Sequence, residues 1–484
     1  MSASALLKKW AQQSPFSTAL ISGKMQINWQ TLKCIIDDYA STLCSQGLGR
    51  GDVLVFVGKN QPEFPLVYLA CLRLGILPAI CPPQPLAQLK RKLDILYAET
   101  QVPSIWMPNP SELPLSKAEL ERLATTNQIV NVTPLHLLEL SPEKQYGSVL
   151  ETPRSHPKGL GSIIFTSGST GEPKAVAHTE AQHIASAEGL LECFEYQASD
   201  RWLLSLPMYH VSGLAIIWRW LVAGGELKIG SGDLDSDIQE VTHASLVSTQ
   251  LKRLLDSKRS LTLKRVLLGG SHIPHTLAQQ AQLVGIDTWL GYGMTEAAST
   301  VTAKRLDSIS SAGFLLPKRK LKIVDQRIYI SGETLASGYY HQGQLKPLNE
   351  GGWFDSKDLG QWQSDELMVL GRADNQFISG GENIHCEEIE AVLNRHPQIR
   401  QAFIIPVEDA EFGFRPVAII DSERLDEDFA YRQYLDGKLD KFKFPIAYFR
   451  MPVIESVGIK VSRKALSNWL QQTEWMHLRS EKGE

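Results

Sequence analysis

Four short runs of the chain are apolar without alternation: DVLVFVG at 52–58, RWLLSLP at 201–207, ASLVST at 244–249 and KRVLLGG at 264–270. A strand with one wet face alternates apolar and polar residues, whereas a strand covered on both faces has no reason to. These runs predict buried strands, and the longer helical patterns between them, such as 65–74 and 181–194, predict the helices that cover them. The chain reads as α/β. Its 484 residues exceed the ~100–200 of a typical domain, so more than one domain is expected.

The texture changes after about Gly371. Segment 385–395 (HCEEIEAVLNR) reads as an amphipathic helix with Ile389, Val392 and Leu393 on one side. Segments 400–407, 415–420 and 448–454 read as strands, with a helix over 426–435 between the last two. The expected division is a large multi-layer N-terminal α/β domain, 1–373, and a smaller α+β C-terminal domain, 374–484.

Charge and cysteine usage exclude several classes. With 49 basic against 53 acidic residues the chain carries −4, with no basic block, so a nucleic-acid partner is not expected. Its six cysteines (Cys34, Cys44, Cys71, Cys81, Cys193 and Cys386) form no C-x-x-C pair, which points to free thiols in a reducing compartment. The N-terminus lacks a continuous apolar core, and no apolar run reaches the ~18 residues of a membrane span. Even 213–224 carries Arg219 in its middle. A cytoplasmic protein without stable membrane insertion is expected, and a homo-oligomer stays open.

One loop looks built to wrap an anion. The stretch FTSGSTGEPK at 165–174 follows the short strand pattern SII at 162–164. Gly168 and Gly171 can take positive φ and turn backbone amides toward one concavity. Thr166, Ser167, Ser169 and Thr170 add neutral donors, and Lys174 adds a compact charge. Taken alone, the stretch is equally a Ser/Gly-rich surface turn. Walker A is excluded by spacing, because Glu172 and Pro173 separate Gly171 from Lys174 and Ala175 follows. Pro173 also speaks against a regular helix N-terminus beneath the phosphates.

Four further stretches follow in order: GYGMTE at 291–296, GWFDSKDLG at 352–360, LGRADN at 370–375 with ISGGENI after it at 378–384, and GIKVSRK at 458–464. Singly, Tyr292 reads as a core aromatic, Asp358 as a turn or cap residue and Lys460 as a solvated lysine in a loop. Together, the five stretches resemble the signature series of the adenylate-forming superfamily: acyl-CoA synthetases, peptide-synthetase adenylation domains and beetle luciferases. The resemblance spans about 162–467.

What the resemblance implies is a two-step reaction: a carboxylate attacks the α-phosphorus of ATP, giving an acyl-adenylate and pyrophosphate, and a thiol, usually coenzyme A, then displaces AMP. It assigns Thr166, Ser167, Gly168, Ser169, Thr170, Gly171 and Lys174 to the β- and γ-phosphates. Thr295 would bond the α-phosphate and Glu296 would hold Mg2+, a hard cation that prefers oxygen. Within Gly291, Tyr292 and Gly293, the tyrosine would stack on adenine, while Asp358 and Arg372 would reach the ribose. Lys460 would be the adenylation lysine, bridging carboxylate and α-phosphate. Asp374 would be the hinge of a mobile small domain, with Ser379, Gly380 and Gly381 near the pantetheine channel.

The acid is written in less general residues. His210 takes the family's pocket-gating position, and Arg219 follows in an apolar, helical run. Such an arginine either snorkels, forms a structural ion pair, or forks a second carboxylate. The stretches LLSLPMYHVSGLAIIWRWL (203–221), THASLVSTQLKRLL (242–255), KRVLLGGSHIP (264–274) and GYGMTEAASTV (291–301) resemble the o-succinylbenzoate–CoA ligases of menaquinone biosynthesis. That likeness implies a small-molecule carboxylic acid partner, with Arg219 facing one of its carboxylates and Ser245, Gly269 and Gly270 lining the pocket. Two departures stand out: SAGFLLP at 311–317 replaces a Gly-Ser/Thr-x-Gly turn, and Cys386 stands where proline is common. Rival readings are a CoA ligase for another aromatic or medium-chain acid, a stand-alone adenylation domain, and a non-catalytic adenylate-binding sensor. A serine hydrolase lacks its G-x-S-x-G elbow, and GLGRG at 47–51 lacks the dinucleotide G-x-G-x-x-G spacing.

Overall fold

The structure, a computed structural model, describes residues 1–135, 156–167, 172–257, 259–269, 275–307, 309, 311–348, 351–379, 382–409, 411–422, 428–453 and 461–476. Its core strands are the apolar runs. Val53–Val57 and Leu77–Cys81 are buried at every residue, pair in parallel, and sit near the middle of an eight-stranded sheet. In a second, nine-stranded sheet, Arg201–Leu203, His243–Leu246, Arg265–Gly269 and Asp287–Met294 lie side by side in parallel. Continuous hydrophobicity is thus explained by cover on both faces.

The cover comes from helices. Glu63–Leu74 and Val211–Ala223 are buried almost all round, and one cluster joins them to Phe56 and Ile80 of the first sheet and Leu20 and Leu227 of the second. A helix apolar on every side has to be sandwiched. Outside this layer, Leu89, Leu93 and Leu123 close the first sheet, and Leu251, Leu254 and Leu277 close the second. The result is the expected large multi-layer α/β architecture.

Some boundaries differ from the expectation. RWLLSLP is a strand only over Arg201–Leu203, because the chain then turns to begin the helix at Val211. The run at 244–249 ends as a strand at Leu246; Gln250 Oε1 accepts the Val247 amide at 3.0 Å and helix Ser248–Asp256 starts there. Asp358 is not in a turn but in strand Phe354–Gln363, at a bulge where Lys357 takes φ 62°. That strand belongs to a four-stranded antiparallel sheet ending in Glu366–Arg372.

The atypical segment 311–317 contains a two-residue edge strand, Phe314–Leu315. Phe314–Leu315 pairs with Ser299–Arg305, and the buried Lys304 donates to Glu366 Oε2 at 2.8 Å while Ser311 bonds the same carboxylate. Gly313 still takes φ 86° there, and a Cβ on it would stand 2.6 Å from the Ala303 carbonyl carbon.

Every described strand up to Arg372 belongs to these three sheets, and every one from Gln376 onward belongs to a fourth. The crossing is a single turn, Ala373–Asn375. Beyond it, Gln376–Ser379, Glu382–His385, Ile399–Asp409, Gly413–Ser422 and Tyr448–Arg450 form an α+β unit with helices Cys386–Leu393, Asp428–Leu435 and Arg463–Gln471. Cys386 is fully buried in its core with Ile389 and Leu393, so the thiol serves as a small apolar filler. All six cysteines are free, and no helix of the described residues is long and apolar enough to cross a membrane.

Candidate active site

Two parallel strands of the nine-stranded sheet end side by side, with Gly269 paired to Gly291. Ligand sites of open α/β sheets form outside such carboxyl ends. Past Met294 the chain makes the short turn Thr295–Ala297 and returns as the antiparallel strand Ser299–Arg305. Gly293 makes this reversal possible: a Cβ there would stand 1.9 Å from the Ser299 carbonyl oxygen.

That turn is held from behind. His178 Nε2 lies 2.7 Å from the Thr295 carbonyl oxygen, which can only accept, so this nitrogen carries the hydrogen. Burial pushes His178 down to about 4, keeping it neutral, and its Nδ1 has no partner among the described residues. The His178 ring packs 4.9 Å from His183, which contacts Ser162 Oγ at 2.7 Å and stacks on Trp218. The Thr295 turn is thereby tied to both strands that flank the glycine-rich loop.

Those strands, Leu160–Ser167 and Pro173–Thr179, form an antiparallel hairpin in which Thr166 faces Lys174 and Ser167 faces Pro173. The glycine-rich stretch therefore connects two strands, and no helix begins at Pro173. Gly168, Ser169, Thr170 and Gly171 lie outside the described residues, as does the side chain of Ser167. Lys174 is exposed, and its Nζ lies 5.0 Å from the ring centroid of Tyr339. The Tyr339 hydroxyl in turn donates to Glu296 Oε1 at 3.2 Å. Tyr339 joins the two motifs.

A second row of side chains runs from Tyr292 to the interdomain turn. Tyr292 donates its hydroxyl to Asp358 Oδ2 at 2.6 Å, and Arg372 Nη1 donates to Asp358 Oδ1 at 3.2 Å. Arg372 also grips Asp374 through Nε at 2.8 Å and Nη2 at 3.2 Å. Burial opposes charge on Asp374, but the Arg372 hydrogen bonds prevail and hold its carboxyl below the ordinary range. Hydrogen bonding to Asp374 raises Arg372 correspondingly. Burial, reinforced by the Asp358 charge, keeps the Tyr292 phenol protonated far above its usual value. Asp358 itself is 7% exposed, so an arriving hydroxyl would meet a carboxylate already oriented on both oxygens.

Two of the acid-pocket candidates sit on one helix. His210 is the N-cap residue of Val211–Ala223, its ring 4.8 Å from that of Tyr209. Arg219, on the same helix, is 2% exposed and does not snorkel. Its Nη2 reaches Thr300 Oγ1 at 3.2 Å and Ser299 Oγ at 3.4 Å, and its guanidinium carbon lies 5.5 Å from the Trp202 ring. Nε has no partner, and no carboxylate pairs with Arg219 among the described residues. Burial, together with the like charge of Arg319, pushes it down to about 9. Arg319 approaches the same threonine, donating to the Thr300 carbonyl at 3.0 Å. Ser245 is also buried, with its Oγ unsatisfied. Arg219 is thus a buried cation without a counter-ion among the described residues, an arrangement able to accept an anion.

Lys460, Gly270, Gly380 and Gly381 lie outside the described residues. Just after Lys460, Ser462 caps helix Arg463–Gln471 by accepting the Ala465 amide at 3.3 Å. Arg463 donates to Glu390 Oε1 at 2.5 Å and to the Ile404 carbonyl at 2.6 Å, anchoring the chain on that side. Tyr339 and His178 were missed in the sequence. His178 keeps the period-two parity of Lys174 along one strand, a legible signal, whereas Tyr339 carries none.

A model of the AMP-binding enzyme family matches residues 7–340. The chain belongs to that family. It is 39% identical to the 2-succinylbenzoate–CoA ligase of Salmonella typhimurium over 96% of its own length and 97% of the relative's. With the Escherichia coli ligase it shares 38% identity over 96% of this chain and 98% of that one. Among solved structures, an E. coli MenE variant with bound OSB-AMS superposes with a TM-score of 0.84 at 36% identity, over 96% of this chain and 98% of that one. Bacillus subtilis MenE in complex with OSB-AMP shares the fold with a TM-score of 0.81 at 24% identity, over 97% and 98%. The chain shares its architecture, a large mixed α/β domain with a smaller α+β one, with both of these solved structures.

Proposed function

We propose that this protein is an ATP-dependent, AMP-forming ligase that activates o-succinylbenzoate as its acyl-adenylate and transfers the acyl group to coenzyme A, a step of menaquinone biosynthesis. The observation that carries the substrate is Arg219, a buried cation with no carboxylate partner among the described residues, in a chain nearly two-fifths identical to ligases of that acid over almost its full length. The acid has an aromatic ring, a ring carboxylate and a succinyl carboxylate. Activation consumes one carboxylate and leaves another that must be neutralised inside an apolar helix layer. Arg219 meets that requirement, and the resemblance adds Ser245, Gly269 and Gly270 as pocket lining and His210 as its gate.

Nucleotide roles follow the two bonded rows. Thr166–Gly171 and Lys174 take the β- and γ-phosphates, Thr295 takes the α-phosphate, and Asp358 and Arg372 take the ribose, with Tyr292 against the adenine beside Gly291 and Gly293. Among the described residues no group of three or more His, Cys, Asp or Glu could hold a metal by itself. Mg2+ keeps waters and binds through one or two carboxylates plus substrate phosphates, and Glu296, whose carboxylate accepts only the Tyr339 hydroxyl among the described residues, would be its protein ligand. When bound there, the ion neutralises phosphate charge. Lys460 supplies the matching cation between carboxylate and α-phosphate, and aligns the in-line attack.

The small domain, 374–484, must bring Lys460 in and then withdraw it, which gives Asp374 its place as hinge. A cytoplasmic location belongs to the same reading and is supported by the six free thiols. The deciding experiment offers aromatic mono- and dicarboxylates with ATP and CoA and measures AMP and thioester. Turnover of o-succinylbenzoate above the others is expected; good turnover of a monocarboxylate beside none of o-succinylbenzoate would overturn the assignment. Lys460→Ala should lose at least ~3 kcal/mol, roughly 100-fold, in pyrophosphate exchange. It should still convert supplied acyl-adenylate to thioester, and equal loss of both halves counts against the division of labour.

A further inference from the structure

Tyr339 lies on strand Gly338–His341, which pairs antiparallel with the strand carrying Lys174: Tyr339 faces Val176 and Gly338 faces Ala177. The segment leading into it is fixed to Glu296 twice. The Ala336 amide donates to the Glu296 carbonyl at 2.8 Å, and the Tyr339 hydroxyl donates to Glu296 Oε1 at 3.2 Å. No other hydrogen bond reaches that carboxylate among the described residues. The flat face of the same ring lies under Lys174 Nζ, at 5.0 Å. Lys174 makes no ion pair with a carboxylate among the described residues.

We propose that Tyr339 is a positioning residue for the metal–nucleotide complex, its hydroxyl setting Glu296 for the cation and its ring face parking Lys174 for the phosphates. The inference rests on the nucleotide reading above. One oxygen of Glu296 is occupied by the phenol, so the carboxylate presents the other to a cation that demands strict octahedral geometry. A fixed outer partner of this kind orients a metal ligand. On the opposite side, a cation–π contact at an exposed lysine holds the ammonium in place but yields readily to an anion. A carboxylate in that position would instead compete with the phosphates. One side chain thus serves two motifs by two different chemistries, and two substitutions separate them.

Tyr339→Phe keeps the ring and removes the hydroxyl; Tyr339→Leu removes both. Mn2+, an octahedral stand-in visible by electron paramagnetic resonance, is titrated into the full-length protein with a non-hydrolysable ATP analogue, and metal-free binding of the analogue is followed by calorimetry. Tyr339→Phe is expected to weaken Mn2+ by about tenfold while leaving metal-free nucleotide affinity unchanged. Tyr339→Leu should weaken Mn2+ equally and lower metal-free nucleotide affinity a further ~3-fold. In a Glu296→Gln background, Tyr339→Phe should have no additional effect on Mn2+. Wild-type Mn2+ affinity in Tyr339→Phe, or equal nucleotide loss in both variants, would overturn the assignment. Thermal melting of each variant separates these shifts from unfolding. A wild type that binds Mn2+ and nucleotide normally but ligates no o-succinylbenzoate sinks the substrate reading alone; one that binds neither sinks both.

Discussion

Arg219 is buried and Arg463 half-buried, and their surroundings are opposite. Arg463 lies between Glu390 and Glu387 and also donates to a carbonyl. Burial works against its charge, yet Glu390 outweighs burial and holds the guanidinium above the ordinary arginine value. Arg219 meets two hydroxyls, an indole face and a second arginine's field, and burial pushes it down. A paired arginine is part of the protein's own structure. The unpaired one is where, under the function proposed above, a substrate carboxylate would supply the missing charge.

The largest effect should come from breaking the completed site. Arg463→Met leaves Glu390 buried without its partner and should cost about 3–5 kcal/mol of stability, read as a fall in denaturant midpoint. Arg219→Met is the contrasting case. It should lower kcat/KM for o-succinylbenzoate by about 2–3 kcal/mol, roughly 100-fold, because the incoming carboxylate loses its counter-charge. Stability should hold or rise, since removing an uncompensated buried charge relieves the fold. A destabilised Arg219→Met would erase the distinction between the two arginines.

The smallest effect tests the neutral base between them in character, His178. Its ordinary value near 6.5 is pushed down to about 4 in the fold, so the unfolded chain binds a proton that the native protein does not. Stability is therefore lost as pH falls below about 6.5 and through the folded value. The share of His178 between pH 7 and pH 5 is about 2 kcal/mol. His178→Gln, whose amide can still donate to Thr295, should flatten that acid slope and keep adenylation. An unchanged slope would mean that His178 is protonated in the fold.

Much of this contrast was legible before any coordinates. Continuous apolar runs such as 52–58 declare strands covered on both faces, and Arg219 inside an apolar helical pattern is conspicuous because its burial is expensive. Adenylate-forming membership was carried by five motifs in order, and its family and architecture hold. What was not legible depends on side chains meeting across long sequence separations. Nothing in the primary structure says that Tyr339 bridges Lys174 and Glu296, or that Tyr292 and Arg372 occupy the two oxygens of Asp358. Asp358 read as a turn residue because a bulged strand and a turn draw on the same polar composition. The choice between ion pair and open fork at Arg219 also needed the neighbours, since serine and threonine beside an arginine have no periodic signature.

The turn Ala373–Asn375 has a consequence for the energetics of any movement of the unit beyond it. A long slack tether would dissipate loop entropy each time the unit docked. Here the connection is nearly as short as a chain can make it. On the hinge reading proposed above, the adenylation lysine would not be recruited from a dilute search volume: so short a link would keep its effective concentration near the nucleotide high and leave the choice between poses to a few backbone dihedrals.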